Sequence, residues 1–162
     1  MQTAVTDPAR DAVSSSTQVS RAIRILFGVI AALSLAGVGV SAISLQRHYA
    51  KSTTGFCDFN QELNCDIVNR SEYSSIMGIP VAGVGVVGYA ALFILATFRR
   101  SRSETPSWLL GAAVAGLAFA LYLTYIEAYV LTTWCILCLI SLALITLISI
   151  LALIVRVKIS SS

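Results

Sequence analysis

Four apolar stretches, each about as long as a bilayer is thick, dominate the sequence: Ile23 to Leu45, Pro80 to Phe98, Trp108 to Val130 and Cys135 to Val155. A helix rises about 1.5 Å per residue, so roughly 20 apolar residues cross some 30 Å of hydrocarbon. Lipid offers no hydrogen bonds to an open backbone, which leaves helices or closed barrels as the only spanning structures. Unbroken runs of this length read as helices. The expected fold is an all-α membrane protein, a bundle of four transmembrane helices. Composition agrees: 57% of the 162 residues are hydrophobic and 12% charged, against roughly a quarter charged in soluble domains. A water-soluble domain would leave that apolar excess exposed.

Residues 1–20 are polar, rich in Ser, Thr and Ala, and without apolar periodicity. They are expected to form a disordered cytoplasmic tail ahead of a transmembrane domain over residues 21–158. The first apolar run exceeds the roughly 7–15 residues of a signal-peptide core, and no clean small-residue cleavage site follows, so it reads as an uncleaved helix. Lysine and arginine fall unequally about the helix ends. Arg10, Arg21, Arg24, Arg99, Arg100, Arg102, Arg156 and Lys158 lie on one side, against Arg47, Lys51 and Arg70 on the other. The positive-inside rule then places both termini and the second connection in the cytoplasm. The long first connection, Gln46 to Ile79, and the short turn Leu131 to Trp134 face outward. The net charge of +3 is small, and no basic stripe interleaved with aromatics points to nucleic acid.

With that topology all four cysteines lie on the outer side. Cys57 and Cys65 sit in the long loop, and Cys135 and Cys138 form Cys-Ile-Leu-Cys at the start of the fourth helix. An outer compartment that permits disulfides suits them. A Cys-x-x-Cys opening a helix has a physical logic, because free N–H groups and the positive end of the helix dipole stabilise a thiolate. Residues three apart share one helical face, and a small disulfide between them exchanges electrons more readily than it staples a fold. Other readings fit less well. A zinc site would need four thiolates in preformed tetrahedral geometry with no histidine to help, so no metal is expected. Haem attachment needs a histidine after the second cysteine, where Leu139 stands. Two purely structural disulfides in a non-enzymatic four-helix protein are the alternative function. A transporter subunit, the third class, is disfavoured by the scarcity of polar residues inside the helices.

These features together resemble the vitamin K epoxide reductase family. The resemblance rests on Cys57 and Cys65 eight apart in the first outer loop, Ser71 six residues later, Gly78-Ile79-Pro80 entering the second helix, and Cys135-Ile136-Leu137-Cys138 opening the fourth. It spans about Ile23 to Val155. The resemblance implies a four-helix bundle around a quinone of menaquinone or ubiquinone type. Cys135 and Cys138 would be the quinone-facing pair, with Cys138 passing electrons on. Cys57 and Cys65 would be the shuttle pair, and Ser71 a hydrogen-bond donor near the quinone. The vertebrate branch has Thr-Tyr-Ala where this chain has Ser141-Leu142-Ala143, so quinone reduction coupled to disulfide formation, as in bacterial members, is the implied task. Many bacterial members carry a fused thioredoxin-like domain. This chain stops at Ser162, so the implied partner is a separate thioredoxin-fold thiol oxidase at a bacterial cell membrane.

Glu127, the only acid within an apolar run, is expected to snorkel to the interface rather than serve as a proton donor. Tyr122, Tyr125 and Tyr129 are expected in the bundle lining or the aromatic belt. Gly83, Gly85 and Gly88 read equally as close approaches of helices or as ordinary glycines of a membrane helix. Pro80 suits a first helical turn, and Ser71 reads equally as a helix cap.

Overall fold

The structure is a computed structural model that describes residues 8–49, 64–76, 78–98 and 104–160. Its long elements are four apolar helices. α1 spans Pro8–Tyr49, α3 Val81–Thr97, α4 Thr105–Ile126 and α5 Ile136–Ser160. A short helix, α2 (Cys65–Arg70), leads through a 3-10 turn (Glu72–Ser74) into a small hairpin of β1 (Ser75–Ile76) and β2 (Ile79–Pro80). The hairpin pairs Ser75 with Pro80 and Ile76 with Ile79, and Gly78 at φ 81° makes its bend. Three helical stretches, Ser20–Tyr49, Thr105–Leu131 and Ile136–Ser160, are long and apolar enough to cross a membrane. α3, at 17 residues, is shorter than its expected range because Pro80 stands just outside the helix as its cap. It lies at the lower limit of a span.

α1 starts earlier than its apolar run. It begins at Pro8 and so passes through most of the segment expected to lack structure. Pro8 is followed by no Gly or Pro before Ser20, and a helix already nucleated by an apolar run extends at little cost. Within the apolar helices several hydroxyls are satisfied locally. Ser34 Oγ donates to the Ile30 carbonyl (2.8 Å), Thr124 Oγ1 to Ala120 (2.9 Å) and Thr146 Oγ1 to Leu142 (2.7 Å). Such bonds to the carbonyl one turn back let a polar residue sit in an apolar surrounding.

The core lies where the four long helices meet, with Ile30, Leu109, Ile148 and Val155 fully buried. α1 packs on α3 through small residues. A Cβ at Gly37 would run into the Tyr89 ring, and one at Gly85 would meet Ser41 Oγ at 2.8 Å. Of the three α3 glycines with two readings, Gly85 is the close approach. A Cβ at Gly83 would make only ordinary contacts, and Gly88 has open space because it faces a cavity. α4 packs on α5, where Ser149 Oγ reaches the Ala113 carbonyl at 3.2 Å. Gly37→Val should therefore displace Tyr89 and lower stability by about 1–3 kcal/mol, as overpacking does. Thermal unfolding in detergent checks this, and an unchanged midpoint would contradict the packing described.

The outer surface of the helices is apolar. Leu35, Val87, Leu121, Leu147 and Leu153 are all exposed, which suits lipid rather than water. Trp108 lies in the first turn of α4 and Trp134 follows its far end, both partly or largely exposed, as aromatic anchors at two interfaces would be.

Candidate functional site

The return from α4 to α5 builds the site. α4 ends in a π turn, Glu127–Leu131, which Thr132 stops in the left-handed region at φ 48° and ψ 28°. The wide turn closes with the Thr133 N–H on the Glu127 carbonyl at 3.3 Å. Cys135 follows as the last residue before α5, and the Leu139 N–H reaches its carbonyl at 3.0 Å. Cys138 lies one turn in, on the same face. The sequence expectation of a Cys-x-x-Cys opening a helix describes this geometry.

A second strand of chain docks on that turn. The Asn64 N–H donates to the Trp134 carbonyl (3.2 Å), and Asn64 Oδ1 caps α2 by accepting from the Ile67 N–H (3.0 Å). Cys65 is thereby brought into one buried cluster with Cys135, Val68 and Leu137, against which Cys138, Val40 and Leu131 pack. Cys65 and Cys135 are both fully buried. Cys65 is disulfide-bonded, whereas Cys135 and Cys138 are free thiols. The structure thus brings three of the four cysteines predicted from sequence together. Cys57 lies outside the described residues.

Asn69 is the hub between the two cysteine-bearing segments. It sits one turn after Cys65 and is buried. Its amide nitrogen donates to the Cys65 carbonyl at 2.9 Å and stands 3.9 Å from Cys135 Sγ, while its Oδ1 accepts from Ser44 Oγ at 2.7 Å. The Asn69 carbonyl accepts from His48 Nδ1 at 2.6 Å. A carbonyl can only accept, so the ring hydrogen is on Nδ1. Ser74 Oγ lies 3.3 Å from that nitrogen and donates to the Ser71 carbonyl at 2.7 Å. These bonds tie α2 to α1.

Ser71 ends α2. Its hydroxyl donates to the Val68 carbonyl at 2.8 Å, so the capping alternative describes its present contact, at the end of α2 rather than the start of the next turn. It also lines the cavity described below.

Glu127 corrects the sequence reading. It was expected to reach the interface, but its side chain is only 2% exposed. Its Oε2 accepts the Cys135 N–H at 3.1 Å, and its Oε1 is buried with no hydrogen-bond partner. The carboxyl adjoins the Cys138 thiol. The reason is local: a helix start presents unpaired N–H groups and a positive dipole end, which attract a carboxylate inward. Tyr122, Tyr125 and Tyr129 turn the other way. All three are more than half exposed, and the rings of Tyr125 and Tyr129 meet at a tilt with centroids 4.8 Å apart, so they belong to the outer surface of the helices rather than the bundle lining.

Beneath the cysteines a cavity of about 350 Å³ opens between α1, α3, α4 and α5. Leu92, Ala112, Gly116, Phe119, Leu123 and Ile145 make its apolar wall, and Cys138, Glu127, His48 and Asn69 its polar end. Tyr89, missed from sequence, also lines it, its hydroxyl donating to the Ser141 carbonyl at 2.8 Å. The signal available was a lone tyrosine in a helix otherwise built of aliphatic, Gly and Phe residues and a terminal Thr97. Small-molecule sites are of this kind, mostly apolar with a few converging polar groups and volumes of roughly 300–1,000 Å³.

The two thiols are unequal. The hydrogen bond from the Cys138 thiol, joined by N–H groups of the new helix, holds the Cys135 thiol below its ordinary pKa, against the opposing effects of burial and of the Glu127 charge. The thiolate is thereby favoured at Cys135.

The arrangement is that of a dithiol between a second cysteine and an apolar chamber. The sequence model of the vitamin K epoxide reductase family matches residues 28–153. The chain belongs to that family. Membership makes it a membrane oxidoreductase. The matched segment takes in α3, α4, the site just described, about the second half of α1 and most of α5.

Proposed function

We propose that the protein is a thiol:quinone oxidoreductase that supports disulfide formation. It takes electrons from a thioredoxin-fold partner through Cys57 and Cys65, passes them to Cys135 and Cys138, and delivers them to a quinone of menaquinone or ubiquinone type. In this reading the four apolar helices form one transmembrane bundle in a bacterial membrane, with both termini cytoplasmic and the cysteines outward. The observation that carries the reading is the placement of Cys138 at the polar end of an apolar cavity, with Cys135 beside it and the disulfide-bonded Cys65 packed against Cys135.

The steps follow from thiol–disulfide exchange. A partner thiolate attacks Cys57 and breaks its bond to Cys65, and a second partner thiolate releases Cys57 as partner disulfide. Cys65, now a thiolate, attacks Cys135 when Cys135 and Cys138 are joined, and frees Cys138. Cys57 resolves the Cys65–Cys135 link and restores its own disulfide, which leaves both Cys135 and Cys138 reduced. That dithiol then gives two electrons to the quinone, and its disulfide returns as quinol departs. Asn69 aids the exchange, since its amide can donate to a thiolate on Cys135. Ser71 would contact a quinone carbonyl by turning its hydroxyl from Val68. His48 and Tyr89 supply further polar groups at the cavity wall.

Purified protein given dithiothreitol and a short-chain quinone tests this. Steady quinol production is the expected result. Absence of quinol, with the cysteine pairs inert to reductant, would support a non-enzymatic membrane protein with structural disulfides.

A further inference from the structure

We propose that Glu127 is a catalytic residue that accepts the Cys138 proton and hands it to a quinone oxygen. This rests on the thiol:quinone reading and adds to it the acid–base group of the same site.

Four observations carry it. Glu127 is almost wholly buried. Its two oxygens have different tasks: Oε2 is fixed by the Cys135 N–H at 3.1 Å, and Oε1 has no hydrogen-bond partner. The carboxyl adjoins the Cys138 thiol. It also lines the cavity proposed to hold the quinone. Fixing one oxygen on the helix start orients the other, and a buried acceptor left open is costly unless something occupies it. A proton is the occupant that the chemistry provides. Acids inside membrane spans mark proton pathways for the same reason.

The balance is simple. Two thiols become one disulfide and release two electrons and two protons, and the quinone takes up both pairs to become quinol. As the S–S bond between Cys135 and Cys138 forms, the Cys138 proton moves to Glu127. From there it passes to one quinone oxygen, which regenerates the carboxylate. The second proton, which the Cys135 thiol gives up on becoming a thiolate, is made good at the other oxygen by one taken up from solvent.

Glu127→Gln is the informative variant, because the amide oxygen still accepts the Cys135 N–H but cannot carry the proton. Its quinone-reduction kcat should fall by about 10²-fold, the usual size of an acid–base contribution, with KM for quinone unchanged. Glu127→Asp should recover part of the rate. A wild-type kcat in Glu127→Gln would overturn the proposal.

A second measurement needs no quinone. In the reduced protein, alkylation of Cys138 by a small apolar iodoacetamide, resolved from Cys135 by mass spectrometry, should slow about tenfold in Glu127→Gln because the proton acceptor is gone. A carboxylate that merely stood nearby would oppose a thiolate, so its loss would speed the reaction. Faster or unchanged alkylation overturns the proposal. Should the wild type itself fail to reduce quinone, the thiol:quinone reading falls, and the alkylation rate alone still decides whether Glu127 serves Cys138.

Discussion

Cys138→Ser lowers quinone reduction by at least about 10³-fold, the scale expected when a sulfur that forms and breaks bonds in each turnover is removed. The same variant should accumulate a covalent link between Cys65 and Cys135. With Cys138 absent, Cys135 has no neighbour in its own turn to pair with. Among the described residues, the only other sulfur in its cluster is Cys65, which is fully buried. Exchange from the Cys65 disulfide to the Cys135 thiolate would then stop halfway. Non-reducing digestion and mass spectrometry detect the link. A Cys138→Ser protein that still produced quinol at the wild-type rate would remove Cys138 from the electron path. Free Cys135 with an intact Cys65 disulfide in that variant would show that the buried cluster does not exchange.

Cys65→Ser separates the two sources of electrons. A small dithiol can reduce the Cys135–Cys138 disulfide directly, so dithiothreitol-driven quinone reduction should persist. Electrons from a reduced thioredoxin-fold protein should fail to arrive, with turnover down on the order of 10²-fold or more. The physical argument is one of access. Cys135 is fully buried beneath α2 and the turn Thr132 to Trp134, so a folded protein partner cannot reach it and must work through the loop pair. Equal loss with both reductants would mean that Cys65 serves the structure of the site. Equal retention with both would sink the proposed order of the relay.

How much of this was legible beforehand depends on which interactions a sequence displays. The apolar runs fixed the helices because span length is a simple count, and only the ends shifted, where Pro80 shortened α3 and α1 extended back to Pro8. The pairing of Cys135 and Cys138 at a helix start was visible in their spacing. The convergence of Cys65 on Cys135 came only through family resemblance, since nothing local links positions 70 residues apart. Asn69 was passed over because an asparagine in a polar loop reads as a turn residue. Its role appears once α2 forms and sets it one turn from Cys65. Glu127 was misread because a lone acid near the end of a span ordinarily snorkels. Here a π turn and a left-handed Thr132 fold the chain back so that the Cys135 N–H meets the carboxylate, and no sequence periodicity encodes that. Tyr89 owes its place to Gly37 on another helix, a fit no single-helix pattern shows.

The most direct measurement is a single turnover. Fully reduced protein is mixed anaerobically with one equivalent of a short-chain quinone and no other reductant. Quinol is then read by absorbance and disulfides by mass spectrometry after trapping free thiols. The account predicts that, as quinol first appears, the disulfide formed with it joins Cys135 to Cys138, one for each quinol. Quinol formed with neither a Cys135–Cys138 nor a Cys57–Cys65 disulfide to match it, or no quinol from the fully reduced chain, would contradict it.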